Sequence, residues 1–252
     1  MIRKAALVAT LALLLANCGD EPEPAPLDAA APACGGIAER QMMWIDGGTF
    51  MMGEAARYRE EGPPRTVTVE GFWISATEVT NAQFAAFVEA TGYRTEAERA
   101  PPQLTGAPPE MRKPGSAVFR IPTPDNPNWW QWVPGADWRH PNGPGSSIDG
   151  RGNDPVVQVT YNDALAYARW AGASLPTEEQ WEFAARAGRA ALPEPLDPDG
   201  KPQANYYQGA FPARDIGTDG YTTRAPVGCF EPNAFGLHDM IGNVWEWTTS
   251  QP

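Results

Sequence analysis

Apolar positions along the chain predict short strands in its first half. The segment MMWIDGGTFMMG (42–53) predicts two strands on either side of the Asp46–Gly48 turn. In RTVTVEGFWIS (65–75), alternation of apolar and polar residues predicts one half-buried strand, and DPVVQVT (154–160) predicts a buried one. The pattern therefore indicates several small β elements and no long sheet.

Three segments carry the apolar spacing of an amphipathic helix. The first begins at Thr80 or Asn81, the second is YNDALAYARWAG, and the third pairs Thr177 with Gln180 in a capping box. The glycines expected to end them are Gly92, Gly172 and Gly188. The residues expected to face the core are Phe84, Phe87, Val88, Trp181, Ala184 and Ala185.

Regular periodicity is lost between Ala100 and Asn153. This region is rich in proline and glycine and contains Trp129, Trp130, Trp132 and Trp138. Such a long irregular connection is usually either functional or disordered, and its tryptophans argue against disorder.

The N-terminal residues indicate export. Residues 1–18 combine Arg3 and Lys4 with a short apolar run that ends at Cys18, as in a lipoprotein signal, although a plain secretory signal fits the same pattern. Residues 19–41 form a tether rich in proline, alanine and acidic residues, and 42–252 form the folded domain. We expect a periplasmic or cell-envelope protein, attached to the membrane if Cys18 carries lipid.

Charge and cysteine content narrow the function classes. The 252 residues carry a formal net charge of -12, which argues against nucleic-acid binding and is compatible with hard cations. The 27 prolines and 25 glycines indicate a loop-rich domain. Besides Cys18, the chain contains Cys34 and Cys229, which either pair or remain free thiols.

Oxygen ligands occur in two irregular segments near the C-terminal end. Asn205 and Asp219 lie in a segment interrupted by glycines, and Asp239 and Glu246 flank the turn at 242–243. Carboxylates beside unused carbonyls suit calcium, but ordinary capped turns have the same composition.

Several motifs, taken together, resemble the formylglycine-generating enzymes, also called sulfatase-modifying factors. They are IDGGTFMMG, EVTNAQFAAFVEATGY, WVPGADWRHPNGPGSSIDGRGNDPVVQVTYNDALAYARWAG, LPTEEQWEFAARAG, ANYYQGAFP with DGY, and PNAFGLHDMIGNVWEWT. They cover nearly all of 42–249 in family order. The resemblance implies a compact, loop-rich α+β fold with little regular secondary structure, distantly similar to C-type lectins.

The same resemblance implies two structural calcium ions. The first would be held by the Asn205 and Asp219 side chains with the Tyr206 and Tyr221 carbonyls. The second would be held by the side chains of Asp239 and Glu246 with the carbonyls of Gly242 and Val244. Trp138 resembles a tryptophan that lines the family's peptide groove, and a core position is the alternative.

The family's reaction oxidises a sulfatase cysteine to formylglycine with oxygen and a copper ion held by two cysteines. Those cysteines follow the W-E-W element in the family, and neither Cys34 nor Cys229 matches them, so no catalytic residue is assigned. We expect a C-terminally incomplete, inactive domain with Trp245 and Trp247 exposed; copper would belong only to a complete enzyme. The alternative is a non-catalytic, calcium-stabilised binding or scaffold lipoprotein.

Overall fold

A computed structural model describes Cys34 and residues 40–54, 61–102 and 106–249. The predicted signal segment, Cys18 and most of the predicted tether lie outside these residues. The first strand begins at Met42, where the folded domain is predicted to begin.

Four strands near the N-terminal side form two antiparallel pairs. Strand β1 (Met42–Ile45) pairs with β4 (Phe72–Ser75), and β2 (Gly48–Met52) pairs with β3 (Arg65–Val69). The two strands predicted around the first turn are therefore present, but each has a different partner. The single strand predicted over 65–75 is wrong, because the chain divides into β3 and β4. In the turn between β1 and β2, Gly47 lies so close to β3 that a Cβ at this position would be 2.3 Å from the carbonyl oxygen of Val69.

The three predicted helices are confirmed. They are α1 (Asn81–Thr91), α2 (Tyr161–Trp170) and α3 (Glu178–Arg186). Each begins with a capping box, formed by Thr80, Thr160 and Thr177 respectively. Gly92 ends α1 in a left-handed conformation, whereas Ala187, and not Gly188, has this role in α3.

Two other local predictions are corrected by tertiary contacts. The region expected to be irregular, 100–153, contains the antiparallel strands β5 (Gly115–Phe119) and β6 (Trp130–Pro134) and a short 3₁₀ turn at Pro109–Arg112; another 3₁₀ turn, Glu96–Glu98, precedes it. The strand predicted over 154–160 is absent. Pro155 forms only an isolated β-bridge with Thr80, and Gln158 has a left-handed φ of 59°, which interrupts the extended backbone. A last pair, β7 (Gly209–Ala210) and β8 (Arg214–Asp215), follows α3.

Two buried clusters form the core. One joins Ile45 to the Ala184–Ala185 face of α3 and to Leu237 and Met240. The other consists of Phe84, Phe87, Val88, Trp138 and Tyr167. The loop-rich α+β class is thus confirmed, with small sheets and few helices. No helix in the described part of the chain has the length and apolar character needed to cross a membrane.

The described cysteines resolve one open alternative. Cys34 and Cys229 form a disulfide, with their Cα atoms 5.4 Å apart. The bond joins the predicted tether, at Cys34, to the loop that precedes Asp239.

Candidate cation-binding site

Two of the four residues predicted for the first calcium site are hydrogen-bonded to the carboxylate of a third, Asp219. This carboxylate accepts hydrogen bonds from the backbone N–H of Tyr206 at 3.0 Å and of Tyr221 at 2.9 Å. Burial raises the pKa of Asp219, and the charge of Asp215 adds to the effect. The carboxylate is thus held beside the two residues whose carbonyls are the predicted ligands.

Asn205, the fourth residue predicted for this site, immediately precedes Tyr206 in the chain. It is buried, and its Nδ2 donates to the Thr223 carbonyl at 2.7 Å and to Oδ1 of Asn243 at 2.9 Å. Because the amide nitrogen is engaged in this way, the oxygen Oδ1 is the end of the side chain left for a cation.

Asp239 is the central carboxylate of the second predicted site. Asp239 is 8% exposed. Its Oδ2 accepts a hydrogen bond from the N–H of Gly228 at 2.7 Å, and its Oδ1 is buried without a hydrogen-bond partner. Burial raises the pKa of Asp239. An unpartnered buried carboxylate oxygen is costly, and coordination of a cation would remove that cost.

Glu246 is the other carboxylate predicted for this site, and it lies close enough to Asp239 for their charges to interact. Burial of the carboxyl group raises the pKa of Glu246 to about 7. The Trp181 indole opposes this rise, and the charge of Asp239 adds to it. The residue as a whole nevertheless keeps an exposed surface. The turn between the two acids has left-handed backbone at Gly242 (φ 80°) and Asn243 (φ 52°) and belongs to no helix or strand.

A third carboxylate, missed by the sequence analysis, borders the second site. Glu78 is 8% exposed; its Oε1 accepts from Nδ2 of Asn243 at 2.9 Å, and its Oε2 is buried without a partner. Its pKa is raised well above the usual value, first by burial and then by the charges of Asp239 and Glu246. The available signal was an acidic residue two positions before the N-cap Thr80, in a segment interpreted only as a helix start.

These features suit a hard cation that binds through carbonyl and carboxylate oxygens. Two buried carboxylate oxygens lack hydrogen-bond partners, and besides burial the charge of Asp239 raises the pKa of both Glu78 and Glu246. Among the described residues, no three His, Cys, Asp or Glu side chains are already arranged around one metal position. A calcium ion at the second site would therefore depend on backbone carbonyls as well as on the acids.

Copper does not fit the described cysteines. Cys34 and Cys229 are bonded to each other, so neither is a thiolate available to bind copper(I). We therefore derive no oxidation step through these residues.

Trp138, predicted to line a peptide groove, lies in the core. It is 1% exposed, its ring packs 5.2 Å from that of Phe84, and the Arg139 guanidinium lies 4.1 Å from its ring centroid. The same residue also contributes to the wall of an open cavity of about 660 Å³, together with Arg139 and His140. Trp138 therefore packs in the core and also borders this cavity.

The tryptophans of the W-E-W element are exposed, as expected. Trp245 is 89% exposed and Trp247 is 49% exposed. The ring of Trp245 contacts that of Trp130 on β6 at 5.9 Å between centroids. These rings form an apolar surface beside the second candidate site.

Comparison with known proteins identifies the family that the chain resembles. The model of the sulfatase-modifying factor enzyme 1-like domain matches residues 29–251. The chain is 50% identical over 222 residues to a formylglycine-generating enzyme of Mycobacterium tuberculosis, covering 84% of this chain and 74% of that protein. It is 44% identical over 216 residues to the mouse protein named inactive C-alpha-formylglycine-generating enzyme 2, covering 83% and 68% respectively. The solved structure of PvdO from Pseudomonas aeruginosa matches with a TM-score of 0.55 and 28% identity, covering 84% of this chain and 71% of that one.

Proposed function

Since the chain belongs to the sulfatase-modifying factor enzyme 1-like family, we propose that it is an exported, calcium-stabilised member whose client is a protein cysteine, such as that of a sulfatase. The observation that carries this proposal is 50% identity to a formylglycine-generating enzyme across 84% of the chain. The family's activity and the client are proposed for this chain on that likeness.

The calcium part of the proposal is supported by the geometry around Asp219 and Asp239. The Asp219 carboxylate is hydrogen-bonded to the two residues that would offer carbonyls. Near Asp239, buried oxygens of Asp239 and Glu78 lack partners. We propose one structural calcium ion at each position, with Glu78 adding negative charge to the second.

We further propose that these 252 residues do not oxidise cysteine by themselves. Support comes from the disulfide between Cys34 and Cys229, which leaves Cys18 as the one cysteine of the sequence outside that bond. Copper(I) chemistry of the family type requires a pair of thiolates.

The chain with Cys18→Ser, incubated with copper, oxygen and a cysteine-containing sulfatase peptide, should yield no formylglycine. An active relative assayed in parallel is the positive control, and aldehyde formation is measured by mass spectrometry. Thiol titration of the same protein under denaturing conditions should find no free thiol. Detection of formylglycine would refute the proposal, and reactive thiols would remove its structural basis.

A non-catalytic binding or scaffold role is the second candidate. It is favoured by the 44% identity to a mouse protein whose name describes it as inactive. A cysteine peptide that binds the chain without being oxidised, even when the Cys34–Cys229 bond is reduced and copper is present, would support this role. Oxidation after reduction would support the enzyme instead.

We propose that the client approaches the cavity whose wall includes Trp138. Arg139 lines this cavity and stacks on Trp138, so the buried ring holds its guanidinium at the cavity wall. Arg139→Gln should weaken binding of a fluorescent sulfatase peptide without lowering thermal stability by more than a few degrees. Unchanged affinity would exclude this cavity as the client site.

Export and lipid attachment at Cys18 are proposed from residues 1–18. The Cys34–Cys229 disulfide supports export, because such bonds persist mainly in oxidising compartments. Metabolic labelling with a radioactive fatty acid, comparing the natural chain with Cys18→Ser, distinguishes a lipoprotein from a plainly secreted protein. Retention of the unprocessed chain in the cytoplasm would overturn export.

A further inference from the structure

The side chain of Asn243 lies between the two candidate cation sites. Its Oδ1 accepts from Nδ2 of Asn205 at 2.9 Å, and its Nδ2 donates to Oε1 of Glu78 at 2.9 Å. Oδ1 also accepts from the N–H of Ala225 at 3.0 Å, and this donor determines which end of the amide is oxygen. One residue therefore contacts a donor group of the first site, Nδ2 of Asn205, and an acceptor group of the second, Oε1 of Glu78.

These contacts set the orientation of a ligand in the first site and an acid in the second. Asn205 has its nitrogen held by Asn243 and its oxygen left for a cation. Glu78 has Oε1 held by Asn243 while Oε2 has no partner. A change in the position of Asn243 would therefore disturb both groups.

The backbone of the same turn also joins the sites. The N–H of Asn243 donates to the backbone carbonyl of Asn205 at 2.8 Å. Gly242 has a φ of 80°, and a Cβ there would lie 2.2 Å from that carbonyl oxygen. The turn that carries the Gly242 and Val244 carbonyls of the second site is thus packed directly against the first.

We propose that Asn243 is a positioning residue that couples the two calcium sites, so that occupation of either raises the affinity of the other. The inference rests on the calcium binding proposed above. Occupation of one site orders the turn and removes part of the ordering cost at the other. Direct repulsion between two divalent cations acts in the opposite sense, so the sign of the coupling separates the two effects.

Calorimetric titration of the calcium-free full chain with calcium tests this coupling. Asp219→Asn disables the first site, and the Kd of the second is then compared with its value in the natural chain, where the first site is filled. We expect this Kd to rise at least about 5-fold, at the lower end of typical coupling energies. In a background carrying Asn243→Gly, which tolerates the positive φ, the same change should alter the Kd by less than about 2-fold.

Reciprocity gives a second test that does not depend on changing Asn243. Glu246→Gln should weaken the first site by the same factor by which Asp219→Asn weakens the second. Each variant is checked for native circular dichroism before titration. If Asn243→Gly fails to fold, unequal or absent reciprocal factors still overturn the coupling.

The outcomes separate this inference from the proposed function. Absence of any calcium binding by the natural chain overturns calcium binding itself. Two independent sites, or sites that weaken each other, overturn the coupling and leave calcium binding intact. Positive coupling that survives Asn243→Gly assigns the link to another residue.

Discussion

Saturating calcium should raise the melting temperature of the calcium-free chain by about 10–20 °C. A ligand that binds only the folded state at 100 times its Kd stabilises by about 2.7 kcal/mol per site, or about 5 kcal/mol for two sites. For a domain of this size, each kcal/mol corresponds to about 2–4 °C. The physical reason is that calcium would neutralise the buried carboxylates of Glu78 and Asp239, each of which has one oxygen without a hydrogen-bond partner.

The calcium response should disappear in a variant that carries both Asp219→Asn and Glu246→Gln. Asp199→Asn is the matched control, because it makes the same chemical change at an exposed residue outside both sites and should retain the full shift. Differential scanning calorimetry with and without a chelator provides the measurement. A natural chain that melts at the same temperature in both conditions would refute the calcium assignment.

Phe84→Ala should lower the free energy of unfolding by about 3–5 kcal/mol. Phe84 is 1% exposed, and its ring lies 5.4 Å from Phe87, 5.2 Å from Trp138 and 5.9 Å from Tyr167, measured between centroids. Truncation removes the ring on which three other aromatic residues pack and leaves a cavity between α1 and α2.

Phe211→Ala is the control for loss of an aromatic ring. Phe211 is 57% exposed, so its truncation should cost less than about 1 kcal/mol. Urea denaturation of both variants, followed at saturating calcium, gives the two free energies. Similar losses for the two residues would contradict the view that the Phe84 cluster is the main packing centre around Trp138.

The three helices were accessible from sequence because their signals are local. Thr80 and Thr177 bond to residues three positions ahead, so a short pattern contains the whole interaction. The predicted first-site residues Asn205 to Tyr221 likewise lie within one irregular segment, which the family resemblance singles out. Burial of Phe84, Phe87 and Val88 follows from helical spacing alone.

The remaining features depend on contacts between distant parts of the chain. The partner of β1 is β4 and not β2, the Cys34–Cys229 bond spans 195 residues, and the Asn243–Glu78 hydrogen bond spans 165. No local pattern records such pairings, because they result from how the loops pack together. For this reason, local sequence identifies which oxygens are candidate cation ligands, whereas tertiary packing alone brings Glu78 beside the second candidate site and places Asn243 between the two candidate sites.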